Sequence, residues 1–441
     1  MIPRTELSAW ADRTGIAVRW PDELVGAPDF RTDLRIDFGR CFVRTPGVVI
    51  TPGDEAEVAA ALRELRARKI RYVLRGSGHS SGGQALIEGG AVIDLGRLTG
   101  VVADDASSGV VRVRAGTYWL DLVEHLLPDR RPVALTTNAF SSVGGTLAVG
   151  GFGDTSHIYG LQTASVNALT LITPDGERHE LGPDDELFRY ALAGRGQLGA
   201  ITEVTMPTLR ARYTLAVRRL EWKAIGHFVR DAVMMSALRI YDFARVRVFW
   251  REGNAVEGIC GRFGDGALVP EPGFELLQPA EWTDLATADL LEHLRADGNS
   301  GWGYACPAVE LVLPLPAGLD AWNRINEEIQ RSGILPYMRH GAALALVPRQ
   351  ALPLVPVPDA AYNLMIALRP MVPLAEVEAL VEPVRRIAAR AIDVGGRLYL
   401  MSVEPDRERV RAQFGDAWTR WAALKQTVDP DGLCNPGLLV P

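Results

Sequence analysis

The chain has 441 residues, is 47% hydrophobic and carries a formal net charge of −7. That length exceeds what one hydrophobic core serves, so two domains are expected. The acidic balance, without any clustered basic stripe, excludes a nucleic-acid surface. No run reaches the roughly 18 apolar residues of a membrane span, and the expectation is a cytoplasmic protein whose partner is a small molecule.

The four cysteines, Cys41, Cys260, Cys306 and Cys434, stand far apart. They lack zinc or CxxC spacing and are expected to be free buried thiols. Lysine occurs only at Lys69, Lys223 and Lys425, which argues against a lysine-based mechanism.

In chain order, "GDEAEVAAALRELRARK" places Val58, Leu62 and Leu65 on one helical face, with acids first and bases last as the helix dipole prefers. A strand, "IRYVLRG", follows. The glycine loop "LRGSGHSSGGQA" (74–85) leads into a second buried strand, "GGAVIDLGRL", which contains Asp94. "VVADDASSGVVRVRAGT" reads as a strand pair about a turn, and "YWLDLVEHLL" as an amphipathic helix. A second glycine-rich segment, "SSVGGTLAVGGFG" (141–153), precedes a hairpin turning at Asp175 and Gly176. From about residue 211 the texture changes to longer alternating strands, such as "RVRVFW" and "YNLMIALRPM", between helical stretches. A second domain is placed there, to residue 404. The tail from 405 is helical and then loop-like.

A glycine-rich turn after a strand aims backbone N–H groups at an anion and allows close approach. Two such turns in one α+β region favour a phosphate-bearing cofactor over mobile surface loops. A literal GxGxxG also occurs at Gly194, Gly196 and Gly199. A dinucleotide fingerprint needs a strand before it and a helix after it. Here helical "DDELFRYAL" precedes and β-like "AITEVTM" follows, so this is not a Rossmann signal. His79 alone in a polar loop would be read as a solvated side chain. Held rigidly between these glycines beside a bound flavin, a neutral imidazole can attack the 8α-methyl carbon of the ring.

The sequence resembles the FAD-linked oxidases of vanillyl-alcohol-oxidase and p-cresol-methylhydroxylase type, nearest to cytokinin dehydrogenases and related to berberine-bridge-like and alditol oxidases. "RGSGHSSGGQA", "GGAVIDL", "VGGTLAVGG", "GRGQLGAITEV" and "DPDGLCNPG" fall in the family's order. The resemblance implies an α+β fold. A two-subdomain FAD-binding domain would be formed by residues 1–210 and 405–441, around a substrate domain, 211–404, with an antiparallel sheet covered by helices.

It further implies that His79 carries FAD through an 8α-N-histidyl bond. Gly76, Ser77, Gly78 and Ser80 would cradle the pyrophosphate, with Leu74 and Gln84 nearby. Ser142, Gly145, Thr146 and Ile201 would lie along the flavin, and Asn435 would close over it. Bicovalent relatives add a cysteine just before the second glycine loop; "TTNAFSSVGG" has none, so a single attachment is expected. Thr137, also placed beside the cofactor, stands where cytokinin dehydrogenases have a proton-accepting aspartate. It cannot serve as that base, so activity on cytokinins does not follow.

The remaining chemistry is hydride transfer from a substrate carbon to flavin N5, with a base taking a neighbouring proton. The stretch "GRLYLMSVEP", read as a strand, puts Tyr399, Met401 and Val403 on one face by the period of two. Tyr399 is the candidate for base or orienter, against the alternative of a core tyrosine. Asp154 and His157 are read as structural.

The leading function is an oxidase or dehydrogenase of natural-product alcohols or amines in secondary metabolism, with O2 or another electron acceptor. A sugar or alditol oxidase is the second reading, disfavoured by the apolar strands "ALALVPRQALPLV" and "NLMIALRPM". A flavoprotein steering rearrangement or cyclisation without net redox turnover is the third.

Overall fold

The computed structural model describes residues 2–441 except 25–28, 213, 251–254, 265–273, 279–280, 282–302, 316–317, 339–340, 350–351, 438 and 440–441. Part of the apolar run 343–355, at 350–351, lies outside the described residues.

After helix α1 (Arg4–Thr14) and strand β1 (Ala17–Arg19), β2 (Val48–Thr51) leads into α2 (Glu55–Ala67). Asp54 caps α2 by accepting from the Glu57 N–H at 2.8 Å, and Val58, Ala61, Leu62 and Leu65 form its buried face. The helix returns the chain to β3 (Tyr72–Arg75), and β4 (Ala91–Asp94) then inserts between β2 and β3. These three strands are parallel and β1 adds antiparallel at the edge, giving the order β1-β2-β4-β3. Parallel strands need covering on both faces. One face of this small sheet packs under α1 and α2, and the other holds Val49, Val73 and Val92 with Leu24, Leu34 and Ile87.

The second sheet is antiparallel: β5 (Val101–Asp105), β6 (Val110–Arg114), β10 (Ala200–Arg210), β8 (Ala168–Ile172) and β9 (Arg178–Leu181), with β7 (Arg130–Pro132) pairing on the far end of β10. The helices α3 (Trp119–Leu126), α4 (Val143–Leu147), α5 (Ser156–Tyr159) and α6 (Glu186–Ala191) belong to this region.

Among the described residues the third sheet has eight strands: β11 (Thr214–Trp222), β12 (Phe243–Phe249), β13 (Ala255–Gly264), β14 (Phe274–Leu277), β16 (Val309–Pro314), β17 (Gly341–Leu346), β18 (Asn363–Leu368) and β20 (Arg397–Leu398). Their order is β14-β11-β13-β12-β17-β18-β16-β20, and a short pair, β15 (Tyr304–Ala305) and β19 (Val372–Pro373), stands beside it. Helices α7 (Ile225–Ala237), α8 (Gly318–Ser332) and α9 (Val377–Asp393) cover one face. The alternation is strict on the central strands. Leu364, Ile366 and Leu368 join the helix-covered core, while Met365 and Ala367 join Phe152 and Tyr399 on the opposite face.

The tail recrosses the molecule. Helices α10 (Arg407–Ala412) and α11 (Asp416–Val428) bury Val410, Phe414, Trp418 and Trp421 against the second sheet's core. Leu433 and Cys434 then enter the core of the first sheet.

Candidate functional site

The first glycine loop starts where β3 ends. Arg75, its last residue, is wholly buried, and its Nη2 donates to the carbonyls of Phe30 (2.6 Å) and Ile36 (2.9 Å). Nε and Nη1 meet no acceptor among the described residues. This guanidinium lies against the loop: a Cβ on Gly78, whose φ is +75°, would stand 2.3 Å from Nη2. Dihedral and contact both demand glycine there. A Cβ on Gly76 would stand 2.3 Å from the Ser142 hydroxyl, so the two glycine segments meet at that point. Ser77 N–H donates to Ser142 Oγ (3.3 Å), and Ser142 N–H donates to Ser77 Oγ (3.1 Å).

His79 sits at the crest. Its Nδ1 is 3.0 Å from Ser77 Oγ, its ring meets Phe30 edge-to-face at 4.9 Å and stacks at 5.8 Å on Phe38, and its Nε2 is buried without a partner. Burial, then the charges of Arg31 and Arg75, lower its pKa to about 3. At neutral pH the imidazole is uncharged and nucleophilic.

Residues before the loop strap it in place. Phe38 N–H donates to the Gly78 carbonyl (2.9 Å) and Gly39 N–H to that of Ser80 (3.0 Å). Asp37, fully buried, accepts from the Ser80 hydroxyl (2.9 Å), Gly83 N–H (2.8 Å) and Arg40 N–H (3.1 Å). Burial still raises its pKa to about 6 against those donors. The loop's far end docks on the third sheet's edge: Ser81 N–H donates to the Met401 carbonyl (2.9 Å) and Gln84 Nε2 to that of Ser402 (2.7 Å).

The tail closes the other end. Asn435, at φ +44°, accepts at Oδ1 from Leu74 N–H (2.8 Å) and donates from Nδ2 to the Arg195 carbonyl (2.9 Å). Lys425 is buried, paired with buried Asp429 at 2.8 Å, and donates to the carbonyls of Gln197 (2.9 Å) and Cys434 (2.5 Å). The 194–199 glycines lie between α6 and β10, which excludes the Rossmann arrangement, but Gly196 and Gly199 do form cavity wall.

On the third sheet, β20 ends at Leu398, and Ser402 N–H closes a turn on the Tyr399 carbonyl (3.0 Å). This corrects the strand expected over 396–405, because docking of the glycine loop takes up the backbone at Met401 and Ser402. Tyr399 and Met401 nonetheless both reach the cavity. Tyr399 packs against Phe152 at 4.6 Å. Burial first, then the charge of Glu310, push its hydroxyl far above the usual tyrosine range, so it stays protonated.

Glu310 and Arg369 share this wall, with Arg369 Nη2 2.6 Å from Glu310 Oε1. Asp154 pairs with Arg245 (2.6 Å) and His157 Nε2 meets the Tyr241 carbonyl (3.0 Å), both buried away from the main cavity.

Residues 46–182 match the FAD binding domain family. An uncharacterized oxidoreductase of the fasciation locus of Rhodococcoides fascians is 29% identical over 430 residues, spanning 92% of this chain and 96% of the relative. Cytokinin dehydrogenase 4 of Arabidopsis thaliana is 34% identical over 329 residues, 66% of this chain and 60% of the relative. Cytokinin dehydrogenase 5 of Oryza sativa subsp. japonica is 26% identical over 481 residues, 92% and 88% respectively. This chain is an oxidoreductase with an FAD-binding domain.

The residues of this oxidoreductase fit FAD. Leu74, Gly76, Ser77, Gly78, His79, Ser80 and Gln84 from the first loop line one cavity of about 390 Å³. Thr137, Ser142, Gly145, Thr146 and Ile201 from the second sheet's region and Asn435 from the tail line it too, as does Tyr399. The N–H groups of Gly78, His79 and Ser80 meet no acceptor among the described residues, which suits an anionic diphosphate. His79 is the histidine on this wall, and no cysteine lines it among the described residues.

Sequence reasoning missed Asp37, Arg75, Glu310, Arg369 and Lys425. A glutamate inside the apolar run "AVELVLP" and one of only three lysines were the available signals. Asp37 and Arg75 carried none.

Proposed function

We propose that this oxidoreductase takes hydride from the alcohol or amine carbon of a small organic substrate of natural-product character, with FAD tethered once, through His79. The observation that carries the reading is an uncharged imidazole with a buried, unpartnered Nε2, on the same cavity as a sheet face bearing a protonated phenol. Bound FAD supplies the two-electron acceptor at N5, re-oxidised by O2 or another acceptor. The protein supplies the rest. Gly76 to Ser80 hold the diphosphate with backbone N–H groups, Asn435 fastens the tail over the site, and Ser77 orients the imidazole. Tyr399 donates a hydrogen bond to the substrate's heteroatom; of the two roles set out for it, orienter is the one its raised pKa supports. Phe152, Tyr399 and Met401 supply the apolar part of the facing wall, beside the Glu310–Arg369 pair, which favours an apolar alcohol or amine over a sugar.

Two measurements test the reading. Acid-precipitated protein is expected to keep its flavin, and His79→Ala to release it. Anaerobic addition of small alcohols and amines is expected to bleach the flavin. Free FAD from the wild type refutes the tether, and rearranged product without bleaching refutes hydride transfer.

A further inference from the structure

β16 is apolar at every position but one. Val309, Leu311 and Leu313 enter the helix-covered core and Val312 the opposite face, while Glu310, on that opposite face, is 1% exposed. Dehydrating a carboxylate costs several kcal/mol unless it is paired. Arg369, the residue after β18, supplies the pairing: Nε at 2.8 Å and Nη2 at 2.6 Å from Glu310 Oε1.

Both side chains line the flavin cavity, and Arg369 also borders a small side cavity with Thr137. A buried charge pair on a cofactor cavity is a candidate functional position. The other acid–base groups on this wall are occupied. Glu404, paired with Arg195, is the more solvated carboxylate at 28% exposed, Tyr399 keeps its proton, His79 carries the tether, and Thr137 has no group that titrates.

We propose that Glu310 accepts the proton of the substrate's O–H or N–H, with Arg369 as the positioning residue that holds the carboxylate on the cavity wall. This rests on the hydride-transfer reading above. In the step the substrate C–H bond breaks and its electron pair passes to oxidised FAD. The O–H or N–H bond breaks, its proton goes to the Glu310 carboxylate, and its electrons form the second bond of C=O or C=N. One FAD is reduced per substrate oxidised, and Glu310 later returns its proton to water.

The test uses flavin-loaded protein and two probes. Benzoate binding, followed by calorimetry, reads the charge on the wall without turnover. Glu310→Gln removes the carboxylate charge beside Arg369 and is expected to bind benzoate about tenfold more tightly than wild type, a gain that added Arg369→Met abolishes. Equal affinity of wild type and Glu310→Gln overturns the proposal.

The second arm is flavin bleaching by benzyl alcohol, cinnamyl alcohol, benzylamine and N6-isopentenyladenine. With whichever bleaches the wild type, Glu310→Gln is expected to be slower by about 10² to 10⁴, and Glu310→Asp to recover part of the rate. An unchanged rate in Glu310→Gln overturns the proposal. Failure of all four with wild type counts against the hydride-transfer reading, and benzoate still decides whether the pair faces a ligand.

Discussion

Gly78→Ala separates two demands that the loop places on one residue. The first is conformational: φ is +75°, and an L side chain held in the left-handed region costs about 1 to 2 kcal/mol. The second is contact, since the new methyl would stand 2.3 Å from Arg75 Nη2. That guanidinium is wholly buried and cannot swing into solvent. To make room it must give up at least one of its bonds to the Phe30 and Ile36 carbonyls, each worth about 1.5 to 3 kcal/mol as a charge-assisted bond. The expected total is about 2.5 to 5 kcal/mol. Gly89 is the control, because its φ is +65° and nothing lies within 4 Å of its missing Cβ, so Gly89→Ala meets the dihedral cost alone. Denaturant unfolding of both variants, alongside acid-stable flavin content, measures the difference. Equal destabilisation with equal flavin loading would show that Arg75 does not brace the loop.

Asp37 sets a pH signature. Its pKa rises from 3.8 unfolded to about 6 folded, so between those values the native chain binds a proton that the unfolded chain does not. This group therefore adds stability as pH falls through that window, on the order of 3 kcal/mol in all. The gap in unfolding free energy between wild type and Asp37→Asn should change by that amount from pH 7 to pH 4; a constant gap contradicts the burial argument. A truncation ending at Val428 removes Asp429, the buried partner of Lys425, together with Asn435. It should lower covalent flavin content and change flavin fluorescence, and normal incorporation with an unchanged spectrum would place the tail outside the site. Isopentenyl-type cytokinins should be poor substrates because Thr137 offers no base at its place on the wall and Glu310 approaches from the third sheet instead. Turnover at rates typical of a committed enzyme, roughly 1 to 10³ per second, would refute that.

The loops that line the cavity were legible because glycine there answers to steric demands that leave a mark on composition. Gly76 and Gly78 each exclude a Cβ, and the helix, strand and hairpin periods around them were unambiguous. The face of the third sheet was harder to read. Glu310 is an ordinary letter in a strand, and only pairing with Arg369, 59 positions away, makes it a charged feature of the wall. The stretch after Arg397 alternated like a strand, yet its backbone turns at Tyr399 to meet the glycine loop. Tertiary hydrogen bonds outweighed local pattern there. Asp37 could not be found at all, since its partners are backbone groups whose positions exist only after folding.

Asn435 holds Leu74, 361 positions earlier in the chain, and Lys425 fastens the same corner. A ribosome must therefore add hundreds of residues after the His79 loop before the pocket acquires its final wall. The corner of the cavity held by Asn435 is completed only when nearly the whole chain has been made.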